Sequence, residues 1–173
     1  MKYVAEFEKV SKEQFVYDFV RIRGGLFVRI RGGLEDRALE AYDNVAIPKR
    51  ATTGSAGYDF VAPFEFALNK GESIVIPTGI RCKIDESWFL QIVPRSGLGF
   101  KFHVALANTV GIIDSDYYNS DNEGHIMVKL VADKPFRVDA GERFAQGIFM
   151  EYGIAVNDEA TGSRNGGFGS SGK

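Results

Sequence analysis

An apolar run ends in two acids and opens onto a tyrosine pair in the stretch Asn108-Thr-Val-Gly-Ile-Ile-Asp-Ser-Asp-Tyr117. Asp114 follows two isoleucines that tend to be buried, so it belongs where a fold meets a pocket. Partial desolvation raises the basicity of a carboxylate, which makes Asp114 a candidate general base. Gly111 allows a bend or a close backbone approach inside the run. An ordinary Asp-rich turn closing a hairpin has the same composition. What separates the two readings is the rest of the chain.

Further stretches place polar groups beside strand-like segments. Ser55-Ala-Gly-Tyr-Asp-Phe60 sets Asp59 two residues after a glycine, at the start of a strand. Pro94-Arg-Ser-Gly-Leu-Gly-Phe100 follows a strongly apolar strand, and Arg95, Ser96 and its backbone N–H groups suit a phosphate cradle. Gly141-Glu-Arg-Phe-Ala-Gln-Gly147 brings Arg143 and Gln146 to the beginning of another strand. Near the C-terminus, Arg164-Asn-Gly-Gly-Phe-Gly-Ser-Ser171 sets an arginine and Phe168 among glycines. Singly, these are a tight turn, a strand start, a charged edge and a flexible terminus. His103 and His125 have neither a nearby cysteine nor a nucleophile arrangement, and read as structural or surface residues.

The elements that must position these groups are mostly short strands. Candidates are 58–61, 73–77, 80–84, 89–93, 103–106, 110–113, 125–131, 136–138 and 143–150, separated by turns such as Asn69-Lys-Gly71 and Asp139-Ala-Gly141. Val45 to Ala51 is also strand-like, with Pro48 marking an edge or an end. Many short strands without long amphipathic helices between them predict an all-β jelly roll or sandwich. Ahead of them, Ser11 and Gln14 form a capping-box pattern that predicts a helix over about 11–19. Residues 35–43 suit a second short helix. Between the two, Phe19 to Leu26 is repeated without change as Phe27 to Leu34, and each copy reads as a strand ending in a Gly-Gly turn. The expected organisation is an N-terminal helical extension over 1–44, a β domain over 45–160 and a flexible C-terminal arm over 161–173.

A chain of 173 residues suits one domain with a substantial core. A net charge of -2 gives no electrostatic reason to expect a nucleic-acid or membrane partner. The single cysteine, Cys82, alternates with Ile80 and Ile84 as a buried strand residue and excludes an intrachain disulfide. With no signal-peptide pattern and no apolar run of membrane-spanning length, the expected location is cytoplasmic.

In this order, the stretches around Asp59, Arg95, Asp114, Gln146 and Phe168 resemble the motifs of the homotrimeric dUTP diphosphatase (dUTPase) family, over roughly Val45 to Lys173. The resemblance implies a β jelly roll, Mg²⁺-dependent cleavage of dUTP to dUMP and pyrophosphate, and active sites shared by the subunits of a homotrimer. Asp114 would activate the water that attacks the α-phosphorus, and Tyr117 would lie against the deoxyribose. Asn108, Gly111 and the main chain at Ile112 and Ile113 would hold the uracil edge, with Met127 a further nucleotide contact. Arg95, Ser96, Gly97 and Gln146 would hold phosphate oxygens, and Arg143 would support the catalytic Asp. Asp59 would reach the metal through water. Phe168 would stack on uracil while Arg164, Gly169 and Ser170 grip the outer phosphates. This chain departs from the common pattern in two ways. Tyr118-Asn-Ser-Asp-Asn-Glu precedes Gly124 where many relatives have a glycine soon after Asp-Tyr, and Arg164 stands one residue closer to Phe168.

Such a division of labour suits phosphoryl transfer, which needs positioning and charge neutralisation more than covalent chemistry. Mg²⁺ commonly borrows phosphate oxygens, so no dense His/Asp cluster is required. The rival readings are a dCTP deaminase of related fold, a catalytically silent nucleotide-binding regulatory protein, and an unrelated β-sandwich module. If 161–173 is an arm that closes the site, deleting residues 162–173 impairs hydrolysis and leaves a folded trimer. A dissociated or unfolded product on size-exclusion chromatography would contradict that role.

Overall fold

Runs rich in Val, Ile and Phe, broken every few residues by Gly, Asp and Asn, can satisfy their backbone only by pairing laterally. The computed structural model describes residues 2–24 and 33–162. It begins with strand β1 (Ala5–Lys9), helices α1 (Lys12–Gly24) and α2 (Leu34–Asp43), and strands β2 (Lys49–Arg50), β3 (Tyr58–Val61), β4 (Phe66–Leu68), β5 (Ser73–Pro77) and β6 (Ile80–Ile84). There follow β7 (Trp88–Pro94), α3 (Ser96–Phe102), β8 (Ala105–Leu106), β9 (Gly111–Ile113), a 3₁₀ turn (Ser115–Asn119), β10 (Met127–Val131), β11 (Phe136–Val138) and β12 (Arg143–Glu151).

Pairing among the described strands is antiparallel throughout. The largest sheet runs β2-β3-β12-β7-β9, beside a β5-β10-β8 sheet and the pairs β11-β4 and β1-β6. Alternate side chains of these sheets meet in one core built around Phe60, Ile76, Leu90, Ile92, Leu130 and Phe144, each at most 2% exposed. Cys82 is buried in β6, and burial pushes its thiol pKa up. Among the described residues no helix is long and apolar enough to cross a membrane.

The N-terminal segment differs from the expectation. Residues 5–9 form a strand, whose Phe7 pairs with Cys82 of β6 and packs against Phe60 and Phe149. Its Ala-Glu-Phe-Glu-Lys sequence alternates over too few residues to stand out beside the helical spacing of Phe15 and Phe19. The first repeat copy also departs, since Phe19 to Gly24 continues α1 as helix instead of forming a hairpin strand. Phe15 and Phe19 lie on one buried stripe against α2 and the sheet, so burial overrides the β preference of Phe-Val-Arg-Ile. The second copy lies outside the described residues up to Gly33. Within α1 the cap is half of the expected box: Ser11 Oγ accepts from the Gln14 N–H at 3.1 Å, but the Gln14 side chain turns to Asp18.

Asp18 is 1% exposed and accepts hydrogen bonds from the fully buried His125 and from Gln14, both at 2.8 Å. Burial pushes its carboxyl pKa up, but these hydrogen bonds outweigh burial and hold it below the usual carboxylate range. A depressed folded pKa gives stability that is present above the unfolded value of about 3.9 and is lost as pH falls through the folded pKa. Urea denaturation should therefore show stability falling in acid, with Asp18→Asn flattening that fall; an unaltered acid limb would contradict the charged state of Asp18.

Candidate active site

The antiparallel register of one strand decides where the chemistry-bearing residues sit. On one side, β7 pairs with β9, opposing Leu90 to Ile113, Gln91 to Ile112 and Ile92 to Gly111. On the other side it pairs with β12, opposing Val93 to Gln146 and Pro94 to Ala145. Next along the sheet, β3 sets Asp59 opposite Gln146. The apolar centre of β7 thus carries one group of candidate residues near its middle and another at its C-terminal end.

The first group surrounds a cavity of about 440 Å³ lined by Asn108, Gly111, Ile112, Ile113, Tyr117 and Met127, with Ile92, Leu106, Ala107, Val110 and Lys129. Its walls are mostly apolar, with polar groups at Asn108 and along the backbone, as small-molecule sites usually are. Thr109 has φ 69 and turns the backbone between Asn108 and Val110, directing the hairpin back onto β7. Tyr117 is buried, and its hydroxyl donates to the His125 carbonyl at 2.9 Å. Asp114 is half-buried and directly follows β9, where its carbonyl accepts from the Tyr117 N–H at 3.2 Å. Met127 opens β10 and reaches the same cavity despite the longer hairpin before it.

The second group meets around Asp59. One carboxylate oxygen faces Arg95 Nε at 3.5 Å and the other accepts from Arg143 Nη1 at 3.1 Å. The described partner of Arg143 within the chain is therefore Asp59. Gln146 Nε2 donates to the Pro94 carbonyl at 3.4 Å, next to Arg95. A Cβ on Gly57 would stand 2.5 Å from Gln146 Oε1, so the glycine makes room for that amide. Ser96 and Gly97 of the expected phosphate cradle begin the short helix α3; Arg95 is its N-cap, and its carbonyl accepts from the Leu98 and Gly99 N–H groups. His103 ends that helix with φ 53, a structural role.

Among the described residues, no group of three or more His, Cys, Asp or Glu side chains converges as a metal site. Both Asp59 oxygens already face guanidinium groups. This donor set fits a cation held mainly by the phosphate oxygens of a ligand, with water between it and the protein. Arg164, Phe168, Gly169 and Ser170 lie outside the described residues.

An antiparallel β fold with a small-molecule cavity and a separate Asp59–Arg95–Arg143 cluster fits the jelly roll expected from the sequence. The dUTPase family profile matches residues 43–172, and the chain belongs to that family. It is 44% identical over 137 residues to the deoxyuridine 5'-triphosphate nucleotidohydrolase of Actinobacillus succinogenes, covering 73% of this chain and 87% of the relative. Among solved structures, the Streptococcus mutans dUTPase superposes with a TM-score of 0.57 at 34% identity, covering 65% of this chain and 90% of the other. A Staphylococcus bacteriophage 80alpha dUTPase with dUpNHpp gives 0.62 at 17% identity, covering 92% and 97%, a likeness of fold. These relatives set the deaminase and the unrelated sandwich aside.

Sequence reasoning missed Lys129 and Leu106 as cavity residues, because each looks like an ordinary position of an alternating strand. Gly57 carried a signal, the glycine two residues before Asp59, but its contact is with Gln146. Gly57→Ala is expected to displace the Gln146 amide and weaken nucleotide triphosphate binding severalfold by calorimetry, with the fold retained. Unchanged affinity would remove Gln146 from the binding surface.

Proposed function

We propose that this chain hydrolyses dUTP to dUMP and pyrophosphate with Mg²⁺, in cytoplasmic nucleotide metabolism, and that each site is completed between the chains of a homotrimer. The observation that carries the reading is the cavity gathering Asn108, Gly111, Ile112, Ile113, Tyr117 and Met127, with Asp114 directly after β9. In that cavity Asn108 and the main chain at Ile112 and Ile113 hydrogen-bond the uracil edge. Gly111 lets the backbone approach the base, and Met127 packs on the nucleotide. Tyr117 lies flat against the deoxyribose and leaves no room for a 2′-hydroxyl.

Asp114 orients a water and takes its proton as the water oxygen bonds to the α-phosphorus, while the bond to the bridging oxygen breaks and pyrophosphate leaves. Arg95, Ser96, Gly97 and Gln146 hold phosphate oxygens at the other end of the nucleotide. Bound Mg²⁺ would neutralise the triphosphate, and Asp59 would help to hold it through water. In the C-terminal arm, Phe168 stacks on uracil, a contact worth about 1–3 kcal/mol, and Arg164, Gly169 and Ser170 close over the outer phosphates.

Strand register favours a shared site. Pro94, the last residue of β7 and the neighbour of Arg95, lies four residues beyond Leu90, and Ile113 is level with Leu90, so Pro94 and Ile113 are about 13 Å apart along the strand at 3.3 Å per residue. Asp114 continues β9 away from the Arg95 end. This separation supports an Arg95 supplied to the transferring nucleotide by a second chain. The exposed apolar residues that a single chain leaves at Ile112, Ile154 and Val156 are consistent with such assembly.

Asp114→Asn should keep dUTP affinity and lose hydrolysis by about 10²–10⁴-fold, the usual cost of a general base; full turnover by this variant would sink the mechanism and favour a silent binder. Arg95→Ala should also be poorly active. Random mixed trimers of the two variants should recover about one quarter of wild-type activity if each site takes Asp114 and Arg95 from different chains. No recovery after subunit exchange would mean that both residues act from one chain.

A further inference from the structure

The N-terminal segment lies outside the family match at residues 43–172, yet it grips the back of the loop that carries Tyr117. The Tyr117 hydroxyl donates to the His125 carbonyl, and Asn122 Nδ2 donates to the Tyr117 oxygen, both at 2.9 Å. The imidazole of His125 is held from two sides. Its Nε2 accepts from the Gly79 N–H at 2.9 Å, which leaves the ring proton on Nδ1, facing Asp18 at 2.8 Å. Both His125 and Asp18 are at most 1% exposed. Two further contacts fasten the same loop: Ser11 donates through its N–H and its hydroxyl to Glu123, at 2.7 and 2.6 Å, and Tyr118 donates to Glu8 at 2.8 Å.

The loop itself has little slack. Glu123 and Gly124 are consecutive left-handed residues, φ 58 and 70, and a Cβ on Gly124 would stand 2.7 Å from the Tyr118 Cα. Tyr118 and Glu123 bound the residues that lengthen this hairpin, so the added loop and the N-terminal segment are built against each other. Removing Asp18 would leave a buried ring N–H without its acceptor, a penalty that the ring escapes only by moving. Movement of His125 moves the carbonyl that anchors Tyr117.

We propose that Asp18 is a positioning residue for sugar selectivity: through His125 it fixes Tyr117 against the deoxyribose face of the nucleotide cavity. The inference rests on the reading of that cavity as a dUTP site. A ring that rejects a substrate for one additional hydroxyl must be held to a fraction of an ångström, and packing behind it supplies that rigidity. Asp18 touches no nucleotide, so its effect appears in discrimination and not only in rate.

The test compares kcat/KM for dUTP and UTP, with UTP also used as a competitor, in wild type, Asp18→Ala and Asp18→Asn. In folded Asp18→Ala the dUTP:UTP ratio should fall about tenfold, within the range that a single misplaced contact controls. Asp18→Asn keeps an acceptor for the His125 N–H and should restore most of the ratio; it carries the test alone, with a smaller fall, if Asp18→Ala does not fold. An unchanged ratio in the folded variant, or an equal loss toward both nucleotides, would show a merely structural role and overturn the proposal. A wild-type chain that leaves dUTP intact would instead overturn the function reading, and this inference with it.

Discussion

The pairing of β7 with β9 on one side and β12 on the other is the constraint on which the rest of the site depends. Because side chains alternate along a strand, a slip of one residue would turn Leu90 and Ile92 out of the core and swing the hairpin with them. The core holds that register, since Leu90 and Ile92 are at most 2% exposed and Gly147 brings β12 close against both. From it follow the cavity under the Asn108–Tyr117 hairpin, the Asp59–Arg95–Arg143 cluster at the far end of β7, and the distance between them. Burial in one place thus sets the geometry of chemistry in two others.

Much of this was legible in the chain. The strands 58–61, 73–77, 80–84 and 136–138 were readable to the residue because apolar alternation and turn residues coincide there. The cavity residues were legible for another reason: motif order carried them, and the fold then brought Asn108, Tyr117 and Met127 to one place. Less legible was β1, whose residues alternate too briefly, and whose partner β6 is remote in sequence. The continuation of α1 through Phe19 to Gly24 was hidden because local β preference and tertiary burial disagree. The helix α3 that begins at Ser96 was not read, because the glycines at 97 and 99 disfavour helix.

The histidines illustrate a different limit. A structural role for His125 was readable from the absence of nucleophiles and metal ligands around it in sequence. Its partners were not, because Asp18 and Gly79 come from distant parts of the chain. The Asp59 pairing with two arginines is of the same kind: residue types were visible, their juxtaposition was a product of the β3-β12-β7 ladder. Selectivity in this account therefore resides in supports behind the cavity as well as in its lining.

The most direct test of the central claim is product analysis with Mg²⁺ and equal concentrations of dUTP, UTP, dTTP and dCTP. Release of dUMP and pyrophosphate from dUTP, with the other nucleotides essentially untouched, is the result expected. Folded protein that leaves dUTP intact, or that hydrolyses all four alike, would contradict the assignment of the Asn108–Tyr117 cavity as a uracil-deoxyribose site.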